Sequence, residues 1–122
     1  MSHKIMIVDD DQPILELMEI LIRRIGYEPL PKTDVIEALE TVKTDPPSLV
    51  LLDVMMTPID GWQFLERVRG DYKMTNLPVI LFTASPLVEE RIARMQDPML
   101  GMLEKPVSLN ELKKGIGKFL GN

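Results

Sequence analysis

A chain of 122 residues with 45% apolar and 27% charged residues has the composition of one ordered domain around a single core, which argues against a largely disordered chain and against two domains within these residues. Its net charge of −5, with 14 basic against 19 acidic residues and no basic stripe, argues against nucleic acid or an anionic membrane as a partner and favours a cation. There is no cysteine, no stretch nears the roughly 18 apolar residues of a membrane span, and the N-terminus lacks the apolar core of a signal peptide, so the expectation is one domain over residues 1–122 in a reducing cytoplasm.

Ile5–Val8 is the first of three runs apolar at every position, the others being Leu49–Leu52 and Val79–Phe82. Unbroken apolarity suits strands covered on both faces, as in parallel sheets. Behind the first run stand Asp9, Asp10 and Asp11, three like charges that repel unless a cation or a helix terminus offsets them. Ile14, Leu17, Met18, Leu21, Ile22 and Ile25 then recur at helical spacing, with Asp11 or Gln12 as cap, Pro13 in the first turn and Gly26 at the end. Tyr27–Pro31 reads as a second, weaker strand. Its Pro29 and Pro31 lie two apart, so both missing N–H groups face one side, which only an edge strand tolerates. Asp34 with Glu37 predicts a capping box that opens a helix burying Ala38, Leu39 and Val42. After the third strand, Asp60 with Gln63 opens a helix that buries Phe64, Leu65 and Val68 and closes at Gly70. Ser85 and Pro86 open the helix behind the fourth strand, with Glu89, Glu90, Arg91 and Arg94 on its solvated face. Met99–Glu104 forms a fifth strand, and Ser108 with Glu111 opens a last helix that buries Leu112, Ile116 and Phe119.

Five strands alternating with five helices predict a doubly wound α/β fold, a parallel sheet with right-handed crossovers and helices on both faces. An edge position for the second strand selects the order 2-1-3-4-5 and puts the switch point, where ligands bind at carboxyl ends, between strands one and three. That end collects Asp9 and Asp10, Asp53, Thr83 and Ala84, and Lys105 with Pro106. Three carboxylates offer a hard-oxygen site to a divalent cation such as Mg2+. The Thr83 hydroxyl, the amides after the fourth strand and Lys105 suit an anion beside it. Together they describe phosphoryl transfer on to a carboxylate.

These motifs, "IVDDD" at 7–11, "LLDVMM" at 51–56, "DGWQFL" at 60–65, "LFTAS" at 81–85 and "EKP" at 104–106, resemble in order and spacing the receiver domain of two-component response regulators, over essentially the whole chain. The resemblance implies a flavodoxin-like (βα)5 fold and a phosphorelay function, with Asp53 as phosphoacceptor. It implies Mg2+, or Mn2+ in its place, on Asp10, Asp53 and the backbone carbonyl of Met55, with Asp9 acting through a metal-bound water. It further implies that Thr83 and the Ala84 amide hold the phosphoryl oxygens, that Lys105 bridges to them, and that the Lys105–Pro106 peptide is cis. The donor would be a phosphohistidine on a sensor histidine kinase or phosphotransfer protein, or a small acyl phosphate. Thr83 would then switch the face of helix four, strand five and helix five, through which a phosphorylation-dependent homodimer could form. Such a domain is no enzyme beyond its own phosphorylation and slow dephosphorylation.

Three positions depart from the family pattern: Thr57 followed by Pro58 where proline is usual one place earlier, Met102 at a switch position that is commonly aromatic, and Pro98 where a small residue usually precedes strand five. A thioether cannot reproduce the inward and outward states of a ring. Among unremarkable readings, Asp11 is a helix cap, His3 neither ligand nor catalyst, Trp62 a packing residue at the start of helix three, and most methionines core filler. Two other functional classes fit the fold. A pseudo-receiver would bind without being phosphorylated; an Mg2+-dependent phosphohydrolase needs a second aspartate close after its nucleophile, which "DVMM" does not supply.

Overall fold

The computed structural model describes residues 3–85 and 87–121. Five strands, β1 (Lys4–Val8), β2 (Glu28–Lys32), β3 (Leu49–Asp53), β4 (Val79–Thr83) and β5 (Leu100–Glu104), alternate with five helices, α1 (Gln12–Ile25), α2 (Val35–Thr44), α3 (Gly61–Glu66), α4 (Leu87–Met95) and α5 (Leu109–Leu120). All pairings are parallel and the order is β2-β1-β3-β4-β5, so the fold is the doubly wound flavodoxin-like architecture.

The prolines place β2 as expected. The Glu28 amide donates to the His3 carbonyl and the Lys32 carbonyl accepts from the Asp9 amide, so the even-numbered residues of β2 face β1. Pro29 and Pro31 turn their donor-less nitrogens to the open edge. The strand itself lies one residue later than Tyr27–Pro31, because Tyr27 still donates to the Ile22 carbonyl as part of the helix end.

Uniformly apolar strands feed two cores. Met6, Val8, Val50, Leu52, Val79 and Leu81 pack with α2, α3 and Val88 of α4 on one face, while Ile5, Ile7, Leu49, Leu51, Ile80 and Phe82 pack with α1 and α5 on the other. Alternate side chains of a strand point to opposite faces, so each run serves both layers at once. Each fully buried Ile or Leu contributes about 1.5–3 kcal/mol of transfer free energy.

Helix ends largely follow the sequence. Asp11 rather than Gln12 caps α1, Gly26 closes it in the left-handed region at φ 106°, and the reciprocal boxes of Asp60 with Gln63 and Ser108 with Glu111 are present. Three expectations are corrected. Asp34 caps α2 through the Ile36 and Glu37 amides, but the Glu37 carboxylate binds Lys32 at 2.7 Å instead of completing a box. Gly70 does not end the third helix; it lies inside a π-helical turn, Arg67–Asp71, that carries the chain on to Tyr72. On α1 Leu15 joins Met18 and Ile22 as the buried positions, whereas Leu17 is 53% exposed. For α4, the Ser85 hydroxyl accepts from the Leu87 amide at 3.4 Å, and Pro86 lies outside the described residues. No helix among the described residues is long and apolar enough to cross a membrane.

Candidate phosphoryl and metal site

The carboxyl ends of β1, β3 and β4 and the turn after β5 converge. One carboxylate oxygen each from Asp9, Asp10 and Asp53 lies within 4.8 Å of the other two. Parallel pairing of β1 with β3, Val8 opposite Leu52, puts Asp9 and Asp53 side by side just past the last register pair. Asp9 is fully buried, Asp53 nearly so, and Asp10 is exposed at the rim. The three equal charges read in the sequence thus have three different environments, with Asp11 set apart as the α1 cap.

Asp9 carries the electrostatic tension. Its Oδ1 accepts from the Asp11 amide at 2.9 Å, but Oδ2 is buried with no hydrogen-bond partner among the described residues. Burial pushes its carboxyl from 3.8 up to about 6 and the neighbouring Asp53 charge adds to the rise, against the opposing pull of the Asp11 amide and Lys105. Among the described residues Lys105 is the single counterion, with Nζ 3.3 Å from Asp53 Oδ1 and 3.6 Å from Asp9 Oδ2, 4.8 Å above the Phe82 ring. One ammonium against three carboxylates leaves a cation deficit. The orphaned Asp9 oxygen and the all-oxygen donor set fit a hard divalent ion such as Mg2+.

Beside the carboxylates, Asp53, Met55, Thr83, Ala84, Ser85 and Lys105 line an open cavity of about 510 Å3. Thr83 is buried, and its Oγ1 accepts from the Ser85 amide at 3.1 Å, which bends the chain away from β4. The Lys105 amide donates to the Thr83 carbonyl at 2.8 Å, tying the two sides of the cavity together, and Lys105–Pro106 is cis as the resemblance implied. Every residue assigned to this region from sequence, Asp9, Asp10, Asp53, Met55, Thr83, Ala84 and Lys105, lies within this cluster or cavity. Met102 is half-buried against the α4 side of the core, opposite Leu81 in the register.

The loop after β3 explains why Asp60 is followed by glycine. The Gly61 amide donates to the Val54 carbonyl at 2.9 Å, and a Cβ there would stand 2.6 Å from the Asp53 carbonyl oxygen. Only a residue without a side chain lets α3 start so near the backbone of Asp53. Thr57–Pro58, the family departure in this loop, is cis.

Several residues near the site carry roles that sequence reading did not assign. Arg91 of α4, exposed as the solvated face predicts, also stacks over Trp62 of α3 at 4.0 Å, and both line a cavity shared with Met55 and Thr83. At the other end of the sheet Arg69 pairs with Asp97 at 2.8 Å and donates to the Met74, Leu77 and Met99 carbonyls. His3, though exposed, contacts Ser48 Oγ through Nδ1 at 3.0 Å and leans on the Tyr27 ring. No periodic signal marks Arg91 with Trp62, Arg69 with Asp97 or His3 with Ser48, because these pairs join residues 28 to 45 apart in sequence.

Comparison with known proteins agrees with this geometry. The model of the response regulator receiver domain matches residues 5–117. Response regulator MprA of Mycobacterium tuberculosis is 35% identical over 112 residues, covering 92% of this chain and 48% of that protein. The chain therefore spans about half the length of the curated relatives it matches. Among solved structures, the N-terminal domain of a response regulator receiver protein from Methanoculleus marisnigri JR1 superposes with TM-score 0.77 at 34% identity, over 98% of both chains. The Vibrio cholerae chemotaxis protein CheY4 gives 0.84 at 25% identity, over 98% of this chain and 99% of that one.

Proposed function

The chain belongs to the response regulator receiver domain family, and from that premise we propose that Asp53 accepts a phosphoryl group from a phosphohistidine of a sensor kinase or phosphotransfer protein. The observation that carries this reading is the single cluster of Asp53, its two acidic neighbours, Thr83 and Lys105 around one open cavity.

An Asp53 carboxylate oxygen attacks phosphorus, the phosphorus–nitrogen bond of the donor breaks, imidazole leaves, and an acyl phosphate remains on Asp53. Lys105, already 3.3 Å from Asp53, follows the charge on to the phosphoryl oxygens, while the Thr83 hydroxyl and Ala84 amide bind the others. Asp10, Asp53 and the Met55 carbonyl, with Asp9 through a water, would hold Mg2+ or Mn2+, whose charge offsets the negative charge of the transferring group. Burial of Asp9 and Asp53 keeps bulk water from screening these charges.

A seat for the donor adjoins the site. Ile14, Leu17, Met18, Lys105, Pro106 and Val107 help line an apolar groove of about 380 Å3, and Leu17 and Ile20 of α1 are 53% and 61% exposed. An amphipathic helix carrying the phosphohistidine suits such a surface. The new charge on Asp53 draws Thr83 inward and biases α4, β5 and α5, including Met102, toward an active arrangement that favours a homodimer. Unchanged sedimentation of the beryllofluoride adduct would count against self-association.

The test of the central reading is intact mass after incubation with acetyl phosphate and Mg2+. One added phosphoryl group is expected, lost in Asp53→Ala and kept in Asp45→Ala. No uptake by the parent overturns the reading in favour of a pseudo-receiver.

A further inference from the structure

We propose that Met55 is an oxidation-sensitive gate over the phosphoacceptor, at which a peroxide converts an apolar shield into a group that recruits water and shortens the lifetime of the phosphorylated state. The second half of this inference rests on the reading of Asp53 as phosphoacceptor.

Met55 is 77% exposed, the most exposed methionine among the described residues and unusual for a long apolar side chain. Yet it is no remote surface residue. It lines the cavity of Asp53, Thr83 and Lys105, the adjoining one of Trp62 and Arg91, and a third with Asp10 and Asp60. Its amide lies 3.4 Å from Asp53 Oδ1, which pins the backbone while the thioether stays in solvent. A side chain 77% exposed on a residue that lines three cavities is open both to a soluble oxidant and to water approaching Asp53.

Thioether sulfur accepts hydrogen bonds weakly, so Met55 excludes or fails to orient a water beside the phosphoryl group. A peroxide transfers one oxygen atom to Sδ; sulfur is oxidised by two electrons and hydrogen peroxide is reduced to water. The sulfoxide is polar and a strong acceptor. It can hold a water by one of its hydrogens so that the lone pair faces phosphorus. Attack then breaks the bond between phosphorus and the Asp53 oxygen, regenerates the carboxylate and releases inorganic phosphate, which keeps both protons of the water. A non-titrating acceptor does less than a positioned general base, so roughly tenfold faster loss is expected rather than the hundredfold or more of the latter. Met95, 43% exposed at the end of α4, lies beside Asp97 and Pro98, away from the acidic cluster, and supplies an internal control.

The experiment treats the protein with dilute hydrogen peroxide, maps added oxygen by peptide mass, and follows phosphoryl loss after loading from acetyl phosphate. Met55 is expected to gain oxygen first, and phosphoryl loss to speed up about tenfold in treated against untreated protein. Methionine sulfoxide reductase should reverse the effect, and the treated-to-untreated ratio should fall to one in Met55→Leu but not in Met95→Leu. Oxidation at Met55 with no change in the rate, or an unchanged ratio in Met55→Leu, overturns the gate; resistance of Met55 to peroxide overturns it at its first step. Failure of the untreated parent to take up a phosphoryl group is a separate result, which overturns the reading of Asp53 and the gate with it.

Discussion

Replacing Asp9 by asparagine tests whether its buried charge is a cost that the metal-free fold bears. The substitution keeps the shape and leaves Oδ1 to accept from the Asp11 amide. In the parent, burial raises the carboxyl from 3.8 to about 6, a gap of about two pH units, each worth about 1.4 kcal/mol. A carboxyl raised in the folded state stabilises the fold fully below its unfolded value of 3.8, and that contribution is lost as pH rises through about 6. The metal-free parent therefore gives up about 3 kcal/mol between pH 4 and pH 7.5. Asparagine escapes the loss, but its amide faces Lys105 Nζ, now 3.6 Å from Oδ2, and that repulsion takes back part of the gain. Asp9→Asn is expected to exceed the parent by about 1–2 kcal/mol at pH 7.5, or about 4–8 °C in Tm, and to show no gain near pH 4. Urea unfolding with EDTA present at the two pH values measures both. An equal gain at both pH values, or a loss at pH 7.5, refutes the buried-charge explanation of the orphaned Oδ2.

The other expectations concern the metal, two packing devices and the tryptophan. Mg2+ at about 100 times its Kd should add about 2.7 kcal/mol to the unfolding free energy of the parent, with EDTA reversing it and Asp10→Ala weakening it; identical melting curves with and without Mg2+ would remove the cation from the site. Arg69→Met leaves Asp97 half-buried without its cation and takes the guanidinium from the Met74, Leu77 and Met99 carbonyls, of which Met99 keeps the Val79 amide, so a loss of about 3 kcal/mol is expected, read by urea unfolding. Arg69→Lys should recover little, since one ammonium cannot span four acceptors. Gly61→Ala drives a Cβ to 2.6 Å from the Asp53 carbonyl oxygen and should cost about 1–3 kcal/mol, with slower phosphoryl uptake by intact mass. Arg91→Ala should change the emission of Trp62, the single tryptophan, and cost about 0.5–1 kcal/mol; unaltered emission would mean that the stack does not persist in solution.

What could be read from sequence was whatever depends on neighbours along the chain. The switch from unbroken apolar runs to helical spacing follows from backbone geometry alone, as does the edge position of β2, because a missing N–H at Pro29 and Pro31 has the same consequence wherever the strand lies. The site residues were legible for a related reason. In a parallel sheet every carboxyl end falls on one side, so strand order is enough to bring Asp9, Asp10, Asp53, Thr83 and Lys105 together. Tertiary structure decided whatever depends on which side chain arrives across a gap. It divided the aspartates into a fully buried Asp9, a nearly buried Asp53 and an exposed Asp10, since depth below the sheet end is a property of the covering loops. It turned Glu37 from its own helix cap to Lys32 at the end of β2, where the carboxylate finds an ammonium 2.7 Å away. It placed Arg91 on Trp62 and Arg69 among four acceptors, partners that no spacing announces. It also left Met55 largely in solvent beside Asp53, where composition alone would have counted one more methionine for the core.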